Sequence, residues 1–371
     1  MATIYNYLRQ NCQDTFKERP LNAVDSLVLS QVSYFAVNSY FPKLKNNEKS
    51  KSLSQIKKSI KEDGTLDFYH MEKAKSYQKI SKAFFSRSNR RYKHTRVNYF
   101  VSKLKDNPAI QFSAMCFFLN EETVYIAFRG SDGTMAGYKE DFDMSFRTTV
   151  PGQTAAVKYL NKVMTLIPAN YKIYLGGHSK GGNFAKYAAL YTSRENQNRI
   201  TGIFDHDGPG FMDNIFDTPA FLNIKDKLHR SLPEGSVVGL LLNNYPKYTI
   251  VSNPANNVLE QHFISFWEID GTELKTKPHL NKLADSQRVG VNQWLLKLDP
   301  ETRERFVDAL FSIFGDSELV SVQDMKTNTI PRIGKLLKSY SSISKENKKL
   351  IRHSFSVYLS AVIRCRITMR K

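Results

Sequence analysis

The sequence predicts an α/β fold with a mostly parallel central sheet, a helical N-terminal segment and a helical C-terminal appendage. Three observations support this prediction. Between Gln111 and Trp267, short apolar segments typical of strands alternate with segments of helical periodicity, the pattern of a doubly wound sheet. The N-terminal 40 residues and the residues after Asp270 show helical periodicity. A glycine-rich turn within residues 172–186 separates an apolar strand from an amphipathic helix.

The N-terminal segment begins with two predicted helices. Ile4 and Leu8 lie at helical spacing in the first of them. Asn22 followed by Asp25 is typical of a helix start, because the Asn side chain can cap the helix and the acidic residue lies in its first turn. The apolar residues that follow, up to Ala36, predict that this second helix is buried.

Residues 41–107 are polar and rich in lysine and arginine, with weak helical amphipathicity. We interpret this region as small helices that form a rim or a lid. It is an insertion in the main α/β domain, which we assign to residues 1–270. No internal repeat is apparent along the chain.

The central region supplies the predicted sheet. The link at residues 119–122 is short, which favours an antiparallel hairpin between the first two strands. A helix is predicted over 154–167. The predicted strands are Phe112–Phe118, Thr123–Phe128, Ile173–Leu175, Ile200–Phe204, Ser236–Leu242 and Tyr248–Val251.

The C-terminal residues 271–371 are predicted to form a basic helical appendage. Helical periodicity occurs over 280–298, 302–314, 330–343 and 350–367, and basic residues are concentrated after Lys345. A basic amphipathic helix can lie on an anionic membrane or pack on its own domain, and the sequence leaves both interpretations open.

The composition is that of a globular protein with a large excess of positive charge. The 371 residues are 41% hydrophobic and 24% charged, with a formal net charge of +19. A chain of this length can bury a sizeable core. The excess charge predicts attraction to nucleic acid, an anionic membrane surface or an acidic partner, although a solvated lysine-rich surface would explain it equally well.

The N-terminal residues and the cysteines predict a cytoplasmic location. Residues 1–11 lack the apolar region of a signal peptide. No apolar run approaches the roughly 20 residues that a membrane-spanning helix needs. The three cysteines, Cys12, Cys116 and Cys365, have neither metal-ligand nor disulfide spacing, which favours free thiols. Peripheral contact with the inner face of the membrane stays open.

The turn within residues 172–186 has the pattern of a nucleophile elbow. Gly177, Ser179 and Gly181 fit G-x-S-x-G, the strand-turn-helix motif that carries the serine of α/β-hydrolases. The serine lies in a strained backbone conformation, on a turn too tight for Cβ atoms two residues before and after it. A phosphate-binding loop is excluded, because the order G-x-x-x-x-G-K-[ST] is absent.

A serine nucleophile needs a base and an acid, in the chain order Ser, acid, His. We choose His262 as the base, because it lies in a loop after a predicted strand. Either Asp207 or Glu234 could accept a hydrogen bond from its Nδ1, and we favour Asp207 modestly. His178 is expected to be structural, and His206 could lie at the rim.

An oxyanion needs preorganised N–H donors. One donor is the backbone N–H of Lys180, at the start of the helix after the serine. The other is expected from the loop over residues 129–134, where Ser131 could add its hydroxyl. Asp141 and Asp143 are expected to brace this loop.

Several motifs together resemble a known family. Ala-Phe-Arg-Gly-Ser at 127–131, Asp143 and the Gly-His-Ser-Lys-Gly of the elbow resemble the fungal-type (class 3) lipases. The closer resemblance is to a bacterial lipase-like α/β-hydrolase family of unknown function, the Mbeg-like proteins. It rests on residues 22–30, 176–183, 207–211, 236–239 and 261–262, and it covers roughly residues 1–267.

The resemblance implies an α/β-hydrolase fold, with Ser179 as the nucleophile and His262 as the base. It does not fix the acid. Lipases carry their acid in an Asp-x-Val-Pro segment, and Ser236-Val-Val-Gly stands here where that Asp is expected.

The expected function is therefore that of a serine hydrolase acting on a carboxylic ester, acyl or lipid-like, with no metal or organic cofactor. Two other classes remain. A catalytically inactive scaffold could bind an anionic membrane or nucleic acid, because a fold does not guarantee activity. Nucleic-acid binding is disfavoured, because the basic residues are scattered and no nucleic-acid-binding module is apparent.

Overall fold

A computed structural model describes residues 1–36, 40–46, 48–63, 67–68, 74–86, 88–281, 291–292, 298–316, 338, 340–354 and 356. Strands in chain order are β1 (Phe35–Ala36), β2 (Lys51–Ser52), β3 (Asp67–Phe68), β4 (Arg96–Asp106), β5 (Ala109–Asn120), β6 (Thr123–Phe128), β7 (Lys172–His178), β8 (Ile200–His206), β9 (Leu228–Pro233), β10 (Thr249–Val251), β11 (Ile269–Asp270), β12 (Glu273–Leu274) and β13 (Thr276–Lys277).

The α-helices alternate with these strands through the middle of the chain. They are α1 (Ile4–Gln10), α2 (Ala23–Val32), α3 (Leu53–Asp63), α4 (Ala74–Phe84), α5 (Met135–Asp143), α6 (Pro151–Met164), α7 (Lys180–Tyr191), α8 (Arg194–Arg199), α9 (Pro219–Leu222), α10 (Val258–His262) and α11 (Pro300–Asp316). Asn22 caps α2 as predicted, and its side chain accepts from the N–H of Asp25.

Nine of the strands form one sheet in the order β13-β10-β9-β8-β7-β6-β5-β4-β2. The strands from β6 to β10 run parallel to one another, whereas β5, β4, β2 and β13 pair antiparallel to their neighbours. The predicted α/β class with a mostly parallel centre is confirmed. The β5–β6 hairpin is confirmed as well.

Three segments differ from the sequence-based expectation. The helical interpretation of residues 41–107 is correct for α3 and α4 but wrong for β4, which forms part of the sheet. Charged residues in the exposed part of β4 hide its alternation of apolar side chains. Residues 236–242 contain a 3₁₀ helix, Val238–Leu240, instead of a strand. The strand β9 was not predicted, because its His and Arg residues interrupt a short apolar run.

The sheet separates two hydrophobic cores, as the alternation of side chains in β5 requires. Phe112, Ala114 and Cys116 pack with α6 and α7 on one face. Met115 and Phe117 pack with α1, α2 and α4 on the other face. Elements on both faces therefore fix the position of the central strands, whose carboxyl ends carry the site described below.

The described part of the C-terminal region packs against α5. Phe306 and Ile313 of α11 form a small apolar cluster with Phe146 and Ile351. The helix predicted over 302–314 is confirmed by α11, and residues 345–354 are helical. The other predicted C-terminal helices and Cys365 lie largely or wholly outside the described residues. None of the helices in the described ranges is long and apolar enough to span a membrane.

The domain boundary placed at residue 270 falls between two strands of the nine-stranded sheet, β10 and β13. Thr276 and Lys277 form β13, which pairs with β10 at the edge of the nine-stranded sheet. The sheet therefore continues past the predicted boundary, and the separation of residues 271–371 as an appendage stays a prediction.

Candidate active site

Ser179 lies on the turn between β7 and α7, in a strained backbone conformation. Its φ is 59°, in the left-handed region that side chains with a Cβ rarely adopt. The turn is held by the N–H of Ser179, which donates to the carbonyl of His206 on β8, and by the N–H of Gly182, which donates to the carbonyl of Ser179. The serine is half-buried and stands at the carboxyl end of the parallel strands.

The glycines on either side of Ser179 are required by close packing. A Cβ atom at Gly177 would lie 2.4 Å from the carbonyl carbon of Gly181. A Cβ atom at Gly181 would lie 2.2 Å from the carbonyl oxygen of Phe128 on β6. Both distances are far below a normal contact, so the steric reason predicted for the G-x-S-x-G spacing is confirmed.

His262 and Asp207 form a hydrogen-bonded pair beside the elbow. The His262 Nδ1 lies 2.6 Å from the Asp207 Oδ2, and the carboxylate is fully buried while the imidazole is 15% exposed. Asp207 directly follows β8. His262 is the last residue of the short helix α10, and not part of a loop as predicted. The pair therefore joins two elements that lie 55 residues apart in the chain.

The segment 236–239 binds the other oxygen of Asp207. The Ser236 hydroxyl and the N–H of Gly239 both donate to Asp207 Oδ1, the latter at 3.0 Å. Together with His262, these donors supply the buried carboxylate with the hydrogen bonds that its removal from water requires. The segment 236–239, where the resemblance to lipases places the acid, therefore supplies hydrogen-bond donors to Asp207, which follows β8.

Glu234 has different partners. Its Oε1 accepts a hydrogen bond of 3.0 Å from the N–H of Asn253. Its backbone N–H donates to Val251 on β10. The described hydrogen bonds of Glu234 therefore tie the turn after β9 to the end of β10 and to Asn281, and His262 is not among their partners.

His178, next to the serine, holds the backbone of His262. Its Nε2–H donates to the carbonyl of His262 at 2.8 Å, and the two rings have centroids 4.5 Å apart. Burial lowers the pKa of His178 well below its ordinary value, so the ring is neutral at pH 7. A structural role was expected for His178. Its specific contact with His262 is not visible in the sequence, because the two residues are 84 positions apart.

Buried side chains anchor the end of α10, where His262 lies, to the loops before it. Gln261 donates to the carbonyl of Asn253 and accepts from the N–H of Gly235, at 2.9 Å each. Asn253 donates to the carbonyl of Gln261 at 2.8 Å, and the indole N–H of the buried Trp267 donates to the same carbonyl at 3.0 Å. The position of His262 is therefore set by a closed hydrogen-bond network.

The loop after β6 packs directly on the elbow. A Cβ atom at Gly130 would lie 3.2 Å from the Ser179 Cβ and 2.5 Å from the carbonyl oxygen of His178. The phenol of the buried Tyr34 donates a hydrogen bond of 3.3 Å to the same carbonyl oxygen of His178. The Gly130 backbone and Ser179 are therefore neighbours, as the oxyanion-loop assignment requires. Tyr34 was missed by the sequence reasoning.

Acidic side chains of α5 bind both Ser131 of the loop after β6 and Lys180, the residue after the serine. The Ser131 hydroxyl donates to Asp141 Oδ2 at 2.5 Å. The ammonium of Lys180 is buried and lies 3.0 Å from Glu140 Oε2, 3.0 Å from the carbonyl of Gly137 and 3.4 Å from Asp141 Oδ1. Burial lowers the pKa of Lys180, but the carboxylates of Asp141 and Glu140 outweigh it, so this pKa lies above its ordinary value.

Asp141 accepts a hydrogen bond from Ser131 of this loop, whereas the described ion pairs of Asp143 are with Lys139 and Arg147. Burial raises the pKa of Asp141, while the charge of Lys180 and the hydrogen bond from Ser131 oppose this rise. Asp143 accepts from Lys139 at 3.1 Å, on the side of α5 that faces α11. The expectation that Asp143 braces the loop over 129–134 is therefore corrected by its contacts.

His206 lies in the core and not at the rim. It is 0% exposed, with its Nε2 2.8 Å from the Ser26 hydroxyl and its ring stacked on Phe204. Burial lowers its pKa from 6.5 to about 4. The ring is therefore a neutral part of the packing beneath the elbow.

One protein-family model matches more than half of the chain. The sequence model of the family described as Mbeg1-like matches residues 86–312, which includes the elbow, Asp207 and His262 and extends past residue 270. A comparison with curated protein sequences gives no match.

The solved structures that resemble this chain include several fungal lipases. Rhizomucor miehei lipase in its propeptide complex is 18% identical, over 56% of this chain and 71% of its own, with a TM-score of 0.33. Lipase II from Rhizopus niveus is 16% identical over 63% and 91%, with a TM-score of 0.34. A Penicillium expansum triacylglycerol lipase is 14% identical over 50% and 82%, with a TM-score of 0.31.

Proposed function

The chain belongs to the Mbeg1-like family, and we propose that it is a serine hydrolase that cleaves carboxylic esters of acyl or lipid-like type. The observation that carries this proposal is the hydrogen-bonded pair of His262 and Asp207 beside a serine in a strained turn. The order Ser179, Asp207, His262 is the chain order of α/β-hydrolases.

In the proposed reaction, Ser179 attacks the ester carbonyl while His262 accepts the hydroxyl proton through its Nε2. Asp207 fixes the imidazole with its proton on Nδ1 and stabilises the imidazolium that forms. The same imidazole then gives its proton to the leaving alcohol. A water molecule, activated by His262, hydrolyses the acyl-enzyme and restores the serine.

The negative charge of the tetrahedral intermediate needs donors near Ser179. We assign this role to the backbone N–H groups of Lys180 and Ser131. The first belongs to the initial turn of α7, where N–H groups lack an intrahelical acceptor. The ion pair of Lys180 with Glu140 and the Ser131–Asp141 hydrogen bond support a preorganised arrangement of both segments.

Asp207 is proposed as the acid of the triad in preference to Glu234. Its carboxylate oxygen lies 2.6 Å from His262 Nδ1, whereas the carboxylate of Glu234 accepts from the N–H of Asn253. The acyl or lipid-like substrate class follows from the sequence resemblance to the class 3 lipases.

The test is labelling with a fluorophosphonate probe combined with hydrolysis of p-nitrophenyl esters of increasing acyl length. Wild-type protein should be labelled and should hydrolyse esters. Ser179→Ala should abolish labelling, and His262→Ala should reduce kcat by about 10⁴-fold or more. The exposed His279 offers a control, since His279→Ala should retain the wild-type rate.

The acid is tested by a second pair of variants. Asp207→Asn should lower kcat by about 10⁴-fold, because the amide favours the wrong imidazole tautomer. Glu234→Gln should stay near the wild-type rate. Labelling that persists in Ser179→Ala would refute the nucleophile assignment, and a folded wild-type protein that is neither labelled nor active would favour the inactive scaffold.

A further inference from the structure

A large groove lies between α6, β4 and the segment 43–45. Its volume is about 1140 Å³, above the roughly 300–1,000 Å³ typical of small-molecule pockets. Its walls come from the segment 43–45, from β4 and from α6, and Phe112 of β5 lies at its base. None of its lining residues belongs to the candidate active site.

Five lysines line the groove, and all five are exposed: Lys43, Lys45, Lys103, Lys158 and Lys162. No carboxylate is among the lining residues. Within the described ranges, the side chains of these five lysines form no ion pair. Their positive charges are therefore not neutralised by the protein and are directed at the space that the groove encloses.

The floor of the groove is apolar. Leu44, Phe100 and Phe112 contribute to it, and Leu166 at its rim is 37% exposed. Lys158, Lys162 and Leu166 follow one another at four-residue spacing along α6 and the turn after it, so they lie on one side of that segment. An apolar floor with a cationic rim is the arrangement that a lipid with a negatively charged headgroup would match.

Two other grooves carry fewer lysines. The groove between α3 and α4 is smaller and is lined by three lysines, of which Lys58 pairs with Glu62. The groove near β7 combines Lys172 with Glu121 and Glu122. The groove between β4 and α6 therefore has the larger volume and the larger number of lysines.

We propose that this groove is a docking site for an anionic phospholipid membrane. Lipid headgroups contact the lysine rim, and an acyl segment contacts the apolar floor. The contact would hold the protein at a membrane surface independently of whether Ser179 hydrolyses an ester, and it locates the membrane interaction on the folded sheet domain.

The test is co-sedimentation of the full chain with vesicles of phosphatidylcholine alone or with about 30% phosphatidylglycerol. Wild-type protein should bind only the anionic vesicles, and increasing salt should weaken binding. Replacement of Lys43, Lys45, Lys158 and Lys162 by Gln should lower the partition coefficient about 100-fold or more, because each lysine near the surface adds to the attraction.

The matched control removes four exposed lysines elsewhere on the fold, Lys17, Lys172, Lys247 and Lys277, and thus gives the same net charge. This control should keep most of the binding. Equal loss in the two quadruple variants would overturn the proposal, since the attraction would then be diffuse. Binding retained by the groove variant, or no binding by wild-type protein, would overturn it as well.

A third variant tests the floor. Leu44→Ser with Leu166→Ser should weaken binding several-fold without changing its salt dependence, because apolar contact is lost and charge is not. An unchanged partition coefficient would overturn the part of the proposal that assigns the floor to an acyl segment. Thermal unfolding of every variant checks that the fold is intact.

Discussion

The lysine beside the elbow and the lysines of the groove place the same chemical group in opposite situations. Lys180 is 1% exposed, and its ammonium lies within 3.4 Å of two carboxylates and a backbone carbonyl. Lys158 of the groove is exposed and forms no ion pair in the described part of the chain. Both residues lie on helices that flank the same face of the sheet.

The difference follows from the cost of removing a charge from water. A buried ammonium without a partner costs several kcal/mol, so the fold surrounds Lys180 with acceptors. An exposed ammonium keeps its hydration and needs no partner. Charges near the elbow therefore hold the structure together, whereas those of the groove remain available to an external anion.

The largest change in the free energy of unfolding is expected when the buried ammonium of Lys180 is removed. Lys180→Met leaves Glu140 as an unpaired buried carboxylate, and it should lower the free energy of unfolding by about 3–5 kcal/mol. Urea unfolding measures this change. If the free energy of unfolding fell by less than about 1 kcal/mol, the buried Lys180 would contribute no more to stability than an exposed lysine.

The double variant Lys180→Met with Glu140→Gln is the control for that experiment. In the wild-type protein the N–H of Gly152 donates to the Glu140 Oε1 at 2.6 Å, and the amide oxygen that Glu140→Gln introduces can still accept this bond. The double variant should recover part of the stability lost by Lys180→Met, because the buried charge is gone while the N–H of Gln111, which donates to Glu140 Oε2 in the wild-type protein, loses its acceptor. Strictly additive losses would show that the two side chains are not coupled.

A second effect concerns the buried imidazole of His206. Burial lowers its pKa from 6.5 to about 4, so the native state keeps the ring neutral while the unfolded chain takes up a proton near pH 6.5. The stabilising contribution is therefore complete above pH 6.5 and is lost as the pH falls towards 4. The loss is at most about 3 kcal/mol, from roughly 1.36 kcal/mol per pKa unit.

Urea unfolding of wild-type protein, His206→Gln and His279→Gln between about pH 4 and pH 7 measures this contribution. The His206→Gln protein should show a shallower decrease of stability at low pH, although His178 still contributes in the same direction. The exposed His279 is the matched control and should leave the slope unchanged. Identical slopes in all three proteins would contradict the burial argument.

Local patterns in the sequence predicted much of the fold and part of the site. The elbow, α2 with its Asn22 cap and the β5–β6 hairpin depend on residues close together in the chain, so periodicity and turn chemistry reveal them. The strand β4 was missed, because its charged exposed residues resemble the basic segment before it.

Contacts between distant residues could not be predicted in the same way. The choice between Asp207 and Glu234 depends on which carboxylate meets His262, and both follow strands that neighbour each other in the sheet. The contact of Tyr34 with the carbonyl of His178 and that of Glu140 with Lys180 depend on how helices pack on the sheet. No short sequence pattern encodes that packing.

The smallest change in the free energy of unfolding is expected for Lys158, the exposed lysine compared above with Lys180. Lys158→Gln removes a hydrated charge without a described ion-pair partner, so the free energy of unfolding should change by less than about 0.5 kcal/mol. The same urea titration used for Lys180→Met measures it. A loss of more than about 1 kcal/mol would mean that Lys158 contributes to folding through contacts within the protein. The groove lysines would then be structural like Lys180, and their unpaired charge would not be free for an anionic surface.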